Sequence, residues 1–200
     1  MFSSKVTAVV LAGGASTRMG QDKASLRLGN KTMLERIVGE LQSIFENIIV
    51  VTNTPDKYEM LHNVKFVRDC LNMEERNSLV GLYSGLKQSE TPNIFVLGCD
   101  MPFVNQHLIE YMVNSLKDED IVIPFTNGYY EPLHAIYSRS CIPALEKLLQ
   151  EKQYKITEMF TAVIVKKIID EDIQKFDPSM ACFKNINTYD EYLSLKDMFE

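Results

Sequence analysis

Short apolar runs alternate along this chain with longer stretches in which apolar residues recur every three or four positions. The run "VTAVVLA" (6–12) is rich in β-branched residues, as expected of a strand buried on both faces. "TMLERIVGELQSIF" (32–45) then places Leu34, Ile37, Val38, Leu41 and Phe45 on one helical face, with Thr32 as N-cap and Glu35 three positions on. "NIIVVT" (47–52) and "KFVRD" (65–69) read as strands, and "LVGLYSGLKQS" (79–89) as a glycine-containing helix. "NIFVLGCD" (93–100) is a further buried strand, followed by the helix "NQHLIEYMVNSL" (105–116). Strands at 120–125, 131–138 and 163–169 and helices at 140–150 and 188–199 complete the pattern. Such alternation predicts βαβ units: an α/β chain with three α/β/α layers and a mostly parallel central sheet. No repeat, low-complexity tract or linker interrupts it, so residues 1–200 are expected to form a single domain.

Composition narrows the function classes. The chain is 46% hydrophobic and 24% charged, ordinary values for a soluble protein. Its net charge of −6 gives no general attraction to nucleic acid or to an anionic membrane. A phosphate-bearing ligand would have to be held by a local cluster of donors. The four cysteines, Cys70, Cys99, Cys141 and Cys182, form no Cys-x-x-Cys pair, which speaks for reduced thiols rather than a zinc site. No signal-like segment opens the chain and no apolar run approaches membrane-spanning length, so a cytoplasmic location is expected.

Candidate chemistry gathers where strands end. In open α/β sheets, ligands bind beyond the carboxyl ends of the strands. There the first run passes into "LAGGASTRMGQDK", with Gly13 and Gly14 followed by Arg18 and Lys23. Glycines allow positive φ and let backbone N–H groups approach an anion, while Arg18 and Lys23 add charge where a triphosphate would lie. The spacing matches neither G-x-x-x-x-G-K-[ST] nor G-x-G-x-x-G, so a P-loop kinase and a Rossmann dehydrogenase are unsupported. In "LGCDMPFV", Asp100 ends a buried strand and is expected to face the same crevice. A carboxylate there suits Mg²⁺ shared with substrate phosphates, although a lone Asp more often caps a turn. Asp69 is a second carboxylate at that edge.

These stretches resemble the MobA-type molybdenum cofactor guanylyltransferases, members of the nucleotide-diphospho-sugar transferase-like (GT-A-like) superfamily. The opening segment matches L-A-G-G-x-S-x-R-M-G-x-D-K. "TNTP", Arg68-Asp69, "GLYSGL", "GCDMP", "EPLHAIY" and "NINTYDEY" follow in order, covering nearly the whole chain. The first motif identifies only the superfamily, and "NINT" narrows it. The resemblance implies that Leu11, Ala12, Gly13 and Gly14 line the guanine and ribose of GTP, with Arg18 and Lys23 on its phosphates. It implies nucleotide contacts at Asn53 and Asp69, a magnesium ligand at Asp100, and Asn185 and Asn187 on the pterin side. Arg18, Lys23 and Asp100 would then be the catalytic residues, with Mg²⁺ as cofactor. The implied reaction transfers GMP from GTP to molybdenum-molybdopterin, with transient contact to proteins that make or receive the cofactor. One departure stands out: the family's G-P-L-A-G is here "GLYSG", with Leu82, Tyr83 and Ser84 in a segment expected to border the base pocket.

Alternatives remain open at this level. One is a cytidylyl- or sugar-1-phosphate nucleotidyltransferase of the same fold; another is a non-catalytic nucleotide- or pterin-binding carrier. His134 reads as a satisfied structural histidine. Glu131 follows "NGYY", a turn expected to overhang the cleft, and both a cofactor contact and a plain surface carboxylate are open for it. "KLLQEKQYK" (147–155) reads as a solvated helix end, and the ten methionines as core filling.

Overall fold

A computed structural model describes residues 5–13, 23–71 and 77–196. The strands are β1 (Val6–Leu11), β2 (Arg27–Leu28), β3 (Lys31–Thr32), β4 (Ile48–Val51), β5 (Lys65–Val67), β6 (Asn93–Gly98), β7 (Ile121–Thr126), β8 (Tyr129–Tyr130), β9 (His134–Ser138) and β10 (Val165–Ile169). The helices are α1 (Met33–Leu41), α2 (Ser78–Gln88), α3 (Gln106–Ser115), α4 (Ile142–Gln150), α5 (Asp170–Ile173) and α6 (Tyr189–Lys196).

The main sheet runs β10-β7-β9-β6-β1-β4-β5, with β8 paired to β7. β1 lies parallel between β6 and β4, β4 parallel to β5, and β10 parallel to β7. β9 runs antiparallel to both of its neighbours, β6 and β7. The mostly parallel α/β architecture expected from the pattern is therefore present, with one reversed central strand. The reversal begins at a tight turn: Asn127 and Gly128 both have positive φ, 51° and 83°, the geometry that suits a two-residue hairpin between β7 and β8.

Alternating residues of the strands feed two cores. Ala8, Val10, Phe95, Leu97 and Ile136 pack with Leu34, Ile37, Leu41, Leu108 and Met112 of α1 and α3. Val9, Ile94, Val96, Ala135 and Tyr137 pack on the opposite face with Leu79, Leu82, Leu145 and Leu148 of α2 and α4. This is the period-two alternation of a sheet covered on both sides. α1 starts as expected: Thr32 Oγ1 accepts from the Glu35 N–H and the Glu35 carboxylate accepts from the Thr32 N–H, closing a capping box. α2 approaches β1 closely because it carries glycine at 81 and 85. A Cβ at Gly85 would stand 2.7 Å from Val9 Cγ1, and one at Gly81 3.2 Å from Leu11 Cδ2.

A third, smaller cluster joins distant parts of the chain. Leu26, Leu28 and Met33, around the β2–β3 hairpin, bury Ile186, Tyr192 and Leu195. The Tyr192 hydroxyl donates to the Arg27 carbonyl at 2.8 Å. The segment before α6 is thereby held against residues that follow the opening loop. No described helix is long and apolar enough to cross a membrane.

Candidate active site

The carboxyl ends of β6, β1, β4 and β5 lie side by side, and the expected site residues follow them. β6 ends at Gly98 rather than at Asp100, so Asp100 belongs to the turn beyond the strand. Leu11 closes β1 and leads to Ala12 and Gly13, Asn53 follows β4, and Asp69 follows β5. Three strand spacings separate the outer two strands, about 14 Å.

Asp100 is set by close packing. A Cβ on Gly98 would lie 2.7 Å from Asp100 Oδ1, so the carboxylate folds back over a residue that only glycine accommodates there. Lys23 Nζ stands 3.6 Å from Asp100 Oδ2, and their side chains are 17% and 27% exposed. The same ammonium donates to Asn187 Oδ1 at 2.8 Å. The structure thus brings together three predicted residues from three distant parts of the chain. Ile186 makes this possible: its side chain is buried in the third cluster while its N–H donates to the Asp100 carbonyl at 2.9 Å.

Asn185 and Asn187 flank Ile186. Neither caps α6. Thr188 does so, with Oγ1 accepting from the Glu191 N–H while the Glu191 carboxylate accepts from the N–H groups of Asn187 and Thr188. These backbone hydrogen bonds hold the Glu191 carboxyl below its usual range.

Asn53 and Asp69 meet directly. Asn53 Nδ2 donates to Asp69 Oδ2 at 2.9 Å, and the Asp69 N–H donates to Asn53 Oδ1 at 3.0 Å. Arg68 closes the arrangement by donating to the Asn53 carbonyl at 3.1 Å. Ala12 is anchored by its N–H to the Val51 carbonyl. Gly13 does not adopt positive φ, and a Cβ there would make only ordinary contacts among the described residues, with the Val51 carbonyl oxygen at 3.8 Å and Thr52 Cα at 4.0 Å. The positive-φ argument for that glycine therefore does not hold. Gly14 and Arg18 lie outside the described residues.

The "GLYSG" segment resolves residue by residue. Leu82 is buried under the sheet, and the Tyr83 hydroxyl donates to Glu146 Oε1 on α4 at 2.8 Å. Ser84 Oγ accepts from the Cys70 N–H and donates to the Val80 carbonyl. These three side chains serve the core, α4 and the chain after β5.

On the other side of β6 opens a cleft of about 770 Å³. Asp100, Asn185, Glu131, Tyr129, Tyr154 and Lys155 are among its walls. The stretch after α4 is solvated as expected, since residues 151–155 are all exposed, but Tyr154 and Lys155 also border the cleft before a short 3₁₀ helix, Ile156–Thr161, whose Ile156 and Met159 are buried. Glu131 is only partly exposed, and burial pushes its carboxyl above the usual range.

His134 is also corrected. It is structural but not satisfied: neither ring nitrogen has a hydrogen-bond partner among the described residues. The imidazole lies edge-on between Phe95 and Phe183, fully buried. Desolvation lowers its pKa to about 4, opposed in part by the charge of Asp177.

No cluster of three or more His, Cys, Asp or Glu side chains capable of holding a metal occurs among the described residues. A single carboxylate at a phosphate site is nevertheless the donor set Mg²⁺ uses, because substrate phosphates and water complete its octahedron. Asp100 fits that requirement.

Comparison with known proteins gives the family and the fold. Residues 8–164 match the MobA-like NTP transferase domain. A probable molybdenum cofactor guanylyltransferase of Natranaerobius thermophilus is 37% identical, over 94% of this chain and 93% of its own length. A molybdenum cofactor guanylyltransferase of Desulfosudis oleivorans is 33% identical, over 93% and 92%. The crystal structure of molybdopterin-guanine dinucleotide biosynthesis protein A from Archaeoglobus fulgidus superposes with a TM-score of 0.82 at 26% identity, covering 96% of this chain and 97% of that one. The fold, the order of motifs and these relatives coincide, and the chain belongs to the MobA-like NTP transferase family.

Proposed function

We propose that this protein, acting as one nucleotidyltransferase domain over residues 1–200, transfers GMP from GTP to molybdenum-molybdopterin. The observation that carries the proposal is the meeting of Lys23, Asp100 and Asn187 where the row of parallel strand ends adjoins the cleft that Asp100 and Asn185 line. Relatives spanning nearly the whole chain and named molybdenum cofactor guanylyltransferases support it.

In this reading an oxygen of the molybdopterin terminal phosphate attacks the α-phosphorus of GTP. The new P–O bond forms as the bond from the α-phosphorus to the α,β-bridging oxygen breaks, and pyrophosphate leaves with those electrons. A phosphate is already ionised and nucleophilic at neutral pH, so the protein needs no general base. Its work is positioning and charge neutralisation. Lys23 carries charge to the phosphates, joined by Arg18, while Asn187 and Asp100 fix the ammonium. Asp100 would hold Mg²⁺, which when bound neutralises developing charge on the phosphate oxygens. Leu11, Ala12, Gly13 and Gly14 would bear on the base and ribose, with Asn53 and Asp69 as further nucleotide contacts. Asn185 and Asn187 would face the pterin substrate. A cytoplasmic setting and transient contact with cofactor-making or cofactor-receiving proteins belong to the same proposal.

The test is calorimetric titration of the purified protein with GTP, CTP and ATP in the presence of Mg²⁺, followed by pyrophosphate release on adding molybdopterin. GTP preference and molybdopterin-dependent release are expected, both abolished by EDTA and restored by Mg²⁺. Preference for CTP, or GTP binding without transfer, would overturn the assignment.

A further inference from the structure

The cleft beside Asp100 contains a carboxylate that the proposed mechanism does not use. The Glu131 side chain has no hydrogen-bond or ion-pair partner among the described residues, yet it is only partly exposed in the cleft. Its backbone is rigidly held. The Glu131 N–H donates to the Pro124 carbonyl at 3.1 Å and its carbonyl accepts from the His134 N–H at 3.0 Å. The next carbonyl, of Pro132, accepts from the buried Tyr137 hydroxyl at 2.7 Å. Leu133 is tied to the end of β6 through the Gly98 N–H at 3.0 Å. A half-buried acid on a fixed turn, without a partner among the described residues, is the state expected of a group reserved for a ligand.

The surroundings select a flat ligand. The Tyr130 ring packs against Phe125 and Phe160, and Lys167 Nζ lies over both Phe125 and Tyr130 at 4.1 and 5.0 Å from their ring centres, which makes a fixed wall. Tyr129, 75% exposed, and Tyr154 stand at the rim, where aromatic faces offer stacking. Strand order puts most of this cleft to one side of β6, and Ser78 at the start of α2 and Asp100 beyond β6 border it toward the other strand ends. β9 and β7 lie on one side of β6, while β1, β4 and β5 lie on the other.

Resting on the guanylyltransferase reading, we infer that Glu131 reads the acceptor, its two oxygens accepting the ring N–H and adjacent amino group of a 2-amino-4-oxo pyrimidine ring seated in the cleft. A carboxylate facing two parallel N–H donors makes paired, charge-assisted hydrogen bonds. A 2,4-dioxo ring of the same shape presents an oxygen to one carboxylate oxygen and is rejected. A residue with this role sets acceptor specificity and affinity and leaves the donor nucleotide untouched.

The experiment is a fluorescence titration with free pterin and with lumazine, its 2-oxo counterpart, on wild type, Glu131→Gln and Glu131→Asp. The wild type is expected to prefer pterin by about tenfold or more, because a site built around substrate N–H groups discriminates against analogues that lack them. Glu131→Gln should bring the two ligands within about twofold of each other, with Glu131→Asp retaining part of the preference. In turnover, the KM for molybdopterin should rise about tenfold in Glu131→Gln, with kcat at saturation and calorimetric GTP affinity unchanged. No pterin preference in the wild type, an undiminished preference in Glu131→Gln, or a loss of GTP affinity would overturn the inference. Failure of the underlying reading has a different signature: wild-type protein that transfers no GMP.

Discussion

Replacing Gly98 by alanine separates the position of the Asp100 carboxylate from its presence. The new Cβ would lie 2.7 Å from Asp100 Oδ1, where real Cβ contacts begin at 3.0 Å and become ordinary at 3.4 Å, so the oxygen must withdraw by about 0.3–0.7 Å. A misplacement of 1 Å at a reacting group costs on the order of 100-fold in rate, which scales to a loss of roughly 4–25-fold here. Stability should scarcely change. The other neighbours, Leu133 Cδ1 and Cβ, stand at 3.5 and 3.6 Å, ordinary contacts. Replacing glycine within a strand gains about 0.5–1 kcal/mol, and a weakened Lys23–Asp100 pair, partly open to solvent, costs a few tenths to about 1 kcal/mol. The two nearly cancel, leaving the melting temperature within about 3 °C. Steady-state pyrophosphate release and differential scanning calorimetry on Gly98→Ala, with Asp100→Asn alongside, test the argument. Asp100→Asn keeps the shape and removes the charge, so its loss should be larger, about 10²–10³-fold. A fully active Gly98→Ala protein would refute the claim that the carboxylate works where it is seen. A drop in melting temperature beyond about 8 °C would show that backbone rather than carboxylate yields to the methyl group.

Lys23→Met should lower turnover by about 10²–10³-fold while moving the urea midpoint little, since its ion pair is partly solvated; wild-type turnover would remove Lys23 from the catalytic set. The two helical glycines should respond with opposite signs in urea unfolding. Gly39→Ala, with nothing within 4 Å, should stabilise by about 0.5–1 kcal/mol, whereas Gly85→Ala, meeting Val9 Cγ1 at 2.7 Å, should destabilise by about 1–3 kcal/mol. Equal effects would contradict the close packing of α2 on β1. His134 should make the fold acid-sensitive. Its pKa of about 4 in the fold lies below the ordinary 6.5, so the unfolded chain binds more protons and stability falls as pH drops from 6.5 toward 4. By pH 5 that loss is about 2 kcal/mol. The lowered Asp177 carboxyl contributes only below its ordinary range, and the raised Glu131 carboxyl acts in the opposite sense. His134→Leu should therefore flatten the decline in urea stability between pH 7 and 5, and an unchanged slope would clear His134 of the effect.

What could be read in the amino-acid order was whatever depends on near neighbours. The capping box at Thr32 and Glu35 needs a spacing of three, and the buried face of α1 a spacing of three and four, so both are visible in one dimension. Asp100 was found because an acid following a long apolar run at a strand end is chemically unusual, although the strand itself stops at Gly98. The reversal of β9 left no trace in "EPLHAIYS", because strand direction follows from partners far along the chain rather than from residue types. Tyr154 and Lys155 were passed over for a similar reason. They lie in a polar stretch, and only the burial of Ile156 and Met159 just beyond it turns them toward the cleft. His134 looked ordinary because nothing in its neighbours along the chain reveals that Phe95 and Phe183 enclose it.

The site's construction explains why its parts are so widely spaced. In the proposed reading the nucleotide edge is made by β1, β4 and β5, complete by Asp69, and the acceptor cleft by the turn between β8 and β9 together with the chain after α4. On that reading neither half alone places a cation between donor and acceptor. That junction requires Lys23 from the first loop, Asp100 from the end of the strand that divides the halves, and Asn187 from the far end of the chain. Ile186 is the hinge pin: its side chain belongs to the cluster around the β2–β3 hairpin, and its N–H grips the Asp100 carbonyl. Truncating Ile186 to alanine should cost about 2–4 kcal/mol of packing if the cavity does not collapse. It should also loosen Asn187 and Asn185 together, and so weaken acceptor use more than GTP binding. A variant that lost GTP affinity first would mean that the C-terminal segment serves the donor half, and that the division at β6 is drawn in the wrong place.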